Sequence, residues 1–203
     1  MAEPRQLPRG RHGLSREEVL ASQRGRMLAA MADAVAEHGY ARTTVAHVIK
    51  GARVSRETFY EQFADKEACF LAAYDHGVQH MQTRMREGLE EASGPPQERL
   101  RRALDAYFAA FLDRPSFART FLVEVYAAGP AALERRAELQ ATFVELVAHV
   151  LGARDADARF RAEALVAAVS SLVTTRVSLG RLEELPTLRE PLLALVDELF
   201  ELG

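Results

Sequence analysis

The chain has 203 residues, 48% of them hydrophobic, enough for one large core or two modest ones, and its single cysteine, Cys69, excludes an internal disulfide. Its net charge of -3 is uneven: residues 1–66 carry eleven Arg and Lys against eight Asp and Glu, whereas the remainder carries fifteen against twenty-one, so a polyanion would meet only the front. No run of about 18 apolar residues occurs, and the basic start "MAEPRQLPRGRHGLS" leads into no apolar stretch, so a soluble, cytoplasmic protein without membrane span or secretory signal is expected.

Nearly every segment repeats its apolar residues with a helical period and none alternates like a strand, which predicts an all-α chain of about nine helices. Residues 1–14 read as a basic arm. Its Arg5, Arg9 and Arg11 would enter a flanking minor groove or simply solvate the terminus. "SREE" then offers a capping box, with Ser15 as N-cap and Glu18 at N3. The helix it starts carries Leu28, Met31, Ala32 and Val35 on one face and ends at Gly39. Thr43 or Thr44 caps a short second helix, "VAHVIKG", with Val45, Val48 and Ile49 inward. The turn "ARV" leads to Ser55, N-cap of a third helix ending near Gln62. Two helices joined by so short a turn form a helix-turn-helix pattern, whose second helix enters the major groove with its N-terminal residues at the base edges. Val54, Phe59 and Phe63 would anchor that helix, leaving Ser55, Arg56, Thr58 and Tyr60 against DNA.

A long fourth helix runs from about Asp65 to Ala92, where "SGPPQ" stops it, because prolines cannot continue a helix. Further helices are expected over 97–112, 115–127, 131–151, 157–179 and 187–202. Met81, Met85, Tyr107, Phe111, Phe121, Tyr126 and Phe143 either fill a core or line a small-molecule pocket in a helix bundle. Arg176, alone in an apolar helix, is read as the partner of an anionic or carbonyl-bearing ligand, or of a glutamate such as Glu124. In the last two helices Leu165, Leu172, Leu188, Leu192, Leu195 and Leu199 belong to apolar stripes wider than one neighbour would bury, which predicts a twofold homodimer through these helices.

The stretch "TTVAHVIKGARVSRETFYEQFADKEACFLAAYD", residues 43–75, resembles the DNA-binding segment of the tetracycline-repressor-type (TetR) regulators. The likeness lies in the paired threonines, Val-Ser entering the third helix, Thr-Phe-Tyr, Phe63, and Asp65-Lys66-Glu67. It implies a helix-turn-helix domain over 15–65 and a ligand-binding and dimerisation domain over 66–203, and it places Thr43 in the DNA-binding set. It also implies phosphate contacts from Thr44, Tyr60 and Lys66, and groove contacts from Ser55, Arg56 and Thr58. Glu57 would accept from a cytosine or stabilise its helix's first turn. Arg53 stands where the family usually has glycine, so the turn is remodelled around Gly51 or Arg53 accepts strain and reaches a phosphate; Gln62 stands where relatives often have histidine. The implied function is a ligand-responsive repressor, released from a palindromic double-stranded operator by a small amphipathic effector. The alternative is a helical scaffold or small-molecule binder that no longer reads DNA. His76 and His80 share a helix face but lack further ligand motifs, and no phosphate loop or nucleophile elbow occurs. No metal, cofactor or catalytic residue is expected.

Overall fold

Ser15 starts the first helix as a reciprocal cap: its hydroxyl accepts from the Glu18 amide, and the Glu18 carboxylate accepts from the Ser15 amide at 2.7 Å. A computed structural model describes residues 15–91 and 94–201. The expected basic arm, residues 1–14, lies outside them. The described residues form α1 (Arg16–His38), α2 (Val45–Ala52), α3 (Arg56–Gln62), α4 (Lys66–Glu91), α5 (Pro96–Leu112), α6 (Pro115–Leu122), α7 (Pro130–Leu151), α8 (Ala156–Ser178) and α9 (Arg189–Phe200), and include no strand. Segments of 3-10 helix cover Glu124–Ala127 and Leu182–Leu188. The helix expected over 115–127 is shorter and divided. The α-helix stops at Leu122, and the following residues tighten into the 3-10 form. None of the described helices is long and apolar enough to cross a membrane.

The chain divides into two compact units, Met1–His76 and Gly77–Gly203. In the first, α1 packs on α2, and Met27, Met31, Val35, Val48, Phe59 and Phe70 are fully buried. Cys69 lies in the same interior; burial pushes its thiol up to about 12, which leaves it protonated and inert. In the second unit α7 packs on α8 and α5 on α9. Fully buried Phe111 and Phe121 lie 5.8 Å apart, with the Tyr107 ring edge-on to Phe111 at 4.7 Å. Gly77 owes its identity to a close approach. A Cβ there would lie 1.8 Å from a ring carbon of Phe117, so bare backbone is the only surface that admits the ring.

Candidate nucleic-acid interface and ligand cavity

The turn between α2 and α3 is left-handed at an arginine. Arg53 closes α2 with φ 54° and ψ 50°, a conformation that opposes any Cβ. It is held from outside the hairpin. Arg26, on α1, donates to the Ala52 carbonyl at 2.6 Å and reaches the Arg53 carbonyl at 3.5 Å, placing a cation on the C-terminal end of α2. The turn is therefore not remodelled through Gly51, and the Arg53 side chain stays exposed. Arg53→Gly should raise the unfolding free energy by about 1 kcal/mol, read as a higher melting temperature, because glycine removes the left-handed penalty.

Ser55 caps α3 by accepting from the Thr58 amide at 3.0 Å, and its hydroxyl lies 2.9 Å from that of Thr58. These two groups set the start of the helix as well as its polar face. Phe59 and Phe63 turn inward, their rings 5.6 Å apart, with the Arg24 guanidinium 4.5 Å above Phe63. Arg56 and Tyr60 are exposed on the other side. The guanidinium sits 5.3 Å from the Tyr60 ring centroid and reaches its phenol at 3.4 Å, a loose contact that leaves most of the arginine's donors open. Thr44 is exposed and caps α2, accepting from the His47 amide.

Three other sequence-selected residues turn toward the protein. Thr43 is buried, and its hydroxyl donates to the Ala34 and Gly39 carbonyls at 3.1 and 2.9 Å, joining the start of α2 to α1. Gln62 donates from Nε2 to the Leu20 carbonyl at 3.4 Å. Lys66 Nζ donates to the Tyr40 carbonyl at 2.9 Å and lies 4.1 Å from the centroid of that ring. Burial raises the Tyr40 phenol above its ordinary range, with the Glu67 and Asp65 carboxylates pushing the same way. The Asp65 carboxylate also caps α4 at the Ala68 amide, 2.8 Å away, which offsets the cation at that helix start.

The second unit contains a narrow apolar cavity of about 90 Å³ between α4, α5, α7, α8 and α9. Of the sequence-selected pocket residues, Met85, Tyr107, Phe121 and Phe143 line it. Met81 and Phe111 are fully buried and do not. Tyr126 is 55% exposed and lines a separate polar recess together with Arg136, Gln140, Ser170, Ser171 and Thr174. Arg136, Gln140 and Ser170 belong to both walls, so the recess and the cavity meet at these three side chains. Arg176 lines neither. It donates to the Leu172 carbonyl at 3.1 Å and lies 3.9 Å from the Glu184 carboxylate, while Glu124 pairs with Arg119 at 3.4 Å. The basic residue at the cavity is Arg136, which sequence reasoning passed over. "LERRAELQ" looks like any charged helix surface, and only the tertiary fold separates Arg136 from Arg135.

The leucines selected for dimerisation divide as well. Leu165, Leu188 and Leu192 are buried within the unit, and Leu165 and Leu192 line the cavity. Leu195 and Leu199 are half-buried against the same core, and Leu172 alone is exposed, at 38%. The exposed residues of α8 include Phe160, Ala164, Ala167, Ser171 and Leu172, together with Asp157, Arg159, Glu163 and Thr175. Among the described residues no group of three or more His, Cys, Asp and Glu is placed to hold a metal ion.

Residues 27–73 match the family model for bacterial regulatory proteins of the tetR family. The HTH-type transcriptional regulator EthR of Mycolicibacterium smegmatis is 32% identical over 80 residues, 39% of this chain and 37% of that one, so the match spans little more than a third of this relative. Among solved structures, the fatty acid degradation regulator FadR of Bacillus halodurans superposes with a TM-score of 0.75 at 19% identity, covering 88% of this chain and 94% of the other. FadR of Bacillus subtilis, solved in complex with stearoyl-CoA, gives a TM-score of 0.74 at 20% identity, covering 86% and 96%. At these identities the structures establish a shared fold. Residues 27–73 therefore carry a segment of the kind found in the tetR family of bacterial regulatory proteins, and the chain shares its fold with the solved structures.

Proposed function

We propose that the protein is a homodimeric, cytoplasmic transcription regulator without enzymatic activity, a repressor that leaves a palindromic operator when a small amphipathic molecule enters its second unit. The reading is carried by α3. A seven-residue helix turns two phenylalanines inward and keeps Arg56 and Tyr60 outward, the arrangement a recognition helix needs to dock by one face and read by the other. Arg56 is the guanine-reading candidate, because a guanidinium fork matches the two acceptors on the major-groove edge. Exposed Thr44, Arg53 and Tyr60 serve as phosphate contacts, and Lys66 keeps donors beyond the one given to Tyr40.

Dimerisation is proposed through the N-terminal half of α8, where Phe160 is 68% exposed one turn from the exposed Ala164. The apolar cavity supports ligand control, and the FadR complex with stearoyl-CoA makes an acyl chain the first ligand class to test. Met85 and Leu89, on α4, line the cavity, and the same helix begins at Lys66, so a ligand that favours one placement of α4 would bias DNA binding by its difference in affinity between the two states.

Fluorescence anisotropy with the DNA upstream of the gene tests this reading. Specific binding at moderate salt that falls on adding an acyl ligand is expected; no preference over random duplex would overturn it.

A further inference from the structure

The junction between the polar recess and the apolar cavity is built around one guanidinium. Arg136 is half-buried on α7; its Nε donates to the Tyr126 phenol at 2.9 Å and its Nη2 to the Ser170 hydroxyl at 2.9 Å, with the Tyr126 ring centroid 5.0 Å away. Both acceptors are neutral, and among the described residues no carboxylate pairs with it. Arg101 and Arg189 of the same unit, by contrast, pair with Glu190 and Asp105. A partly desolvated cation with only neutral acceptors is short of the charge that would stabilise it most. Around it the recess presents hydroxyls from Ser170, Ser171 and Thr174, and the Thr174 Oγ1 is buried without a hydrogen-bond partner. Inward from Arg136 the wall turns apolar, through Phe143, Val147 and Val169 to Leu100 and Val196.

We propose that Arg136 is the headgroup anchor for a single-chain carboxylate whose tail occupies the apolar cavity. The carboxylate takes the two parallel donors of the guanidinium, displacing the Tyr126 phenol, and the recess hydroxyls donate to its remaining lone pairs. The cavity lining selects the tail. Beyond Arg136, Gln140, Ser170 and the Tyr107 phenol its lining is apolar, which suits an alkyl chain. The recess carries one cation, Arg136, which suits a single carboxylate better than the several phosphates of a coenzyme A thioester. This deepens the reading of the second unit as a ligand-binding body and rests on it.

The test is calorimetric titration of the full-length protein with octanoate and dodecanoate, the corresponding alcohols, and the corresponding coenzyme A thioesters. It is repeated on Arg136→Gln and Arg136→Lys, with operator release followed in parallel. In the wild type the carboxylate should bind at least about tenfold more tightly than the alcohol of the same length, the usual weight of a charge-assisted pair. Arg136→Gln should erase that difference while leaving the alcohol's affinity as it was, which also certifies the variant's fold; Arg136→Lys, with charge but no fork, should restore part of it. Equal binding of alcohol and carboxylate, tighter binding of the thioester than of the free acid, or no binding of any probe would each overturn the proposal. Carboxylate binding at Arg136 without operator release would leave the anchor standing and sink the regulatory reading instead.

Discussion

Phe111→Ala should lower the unfolding free energy by about 3–5 kcal/mol, the range for deleting a fully buried phenylalanine side chain. Its ring has no exposed surface and sits among Tyr107, Phe117 and Phe121 at centroid distances of 4.7, 6.1 and 5.8 Å. These neighbours belong to α5 and α6, whose backbones are fixed by their own hydrogen bonds, so collapse into the vacated space is limited and a cavity term adds to the lost transfer energy. For a chain of this length the loss corresponds to a melting temperature lower by about 6–20 °C. Phe160→Ala is the control. At 68% exposure it should change stability by less than about 0.5 kcal/mol in the monomer, and any larger effect that grows with protein concentration would report the proposed α8 contact between copies. A Phe111→Ala variant within about 1 kcal/mol of wild type would mean the aromatic cluster is not a packed core.

The second large effect concerns DNA and separates two cations that look alike in sequence. Arg56→Ala should cost about 1–3 kcal/mol of discrimination at one operator position while leaving binding to random duplex little changed, the result expected of the proposed base-edge contact. Lys66→Ala should behave differently on two counts. It should weaken all sequences alike and shallow the salt dependence by about one unit, as a lost phosphate contact does. It should also destabilise the protein, because Lys66 Nζ donates to the Tyr40 carbonyl at 2.9 Å and stacks on that ring. A salt-titrated binding isotherm on cognate and random duplexes, with a thermal melt of each variant, separates the roles. Identical profiles for the two variants would refute the assignment of reader and positioner.

Helix boundaries were largely legible in the sequence because caps are local. Ser15 with Glu18, Gly39 and Ser55 act within four residues of themselves, and each stands where the chain turns. The tight segments were harder. Glu124–Ala127 continues the apolar pattern of α6, and Leu182–Leu188 contains Pro186, so neither differs from a helix end until the hydrogen-bond pattern is known. The exposed face of α3 was legible through Phe59 and Phe63, since burying one ring within the helix and one at its C-cap dictates which side remains. Thr43 misled because a hydroxyl beside a cap looks available, yet its partners at Ala34 and Gly39 lie in another helix and a loop. Arg176 misled for a related reason. Apolar neighbours in sequence suggested an apolar setting, whereas Glu184 arrives from the following 3-10 segment. Periodicity also placed Leu165, Leu188 and Leu192 on apolar stripes that need cover, but it cannot say whether the cover is the chain's own core or a second copy. For Leu165, Leu188 and Leu192 it is the chain's own core.

The missing side chain at Gly77 constrains the order in which this sequence can change. Alanine is normally the better helix residue by about 1 kcal/mol, so a drift from glycine to alanine within α4 would be expected to persist wherever it arose. With the Phe117 ring occupying the space of that methyl, the drift is blocked until position 117 has first shrunk. The two sites are locked as a pair, open to mutation from the aromatic side and closed from the other.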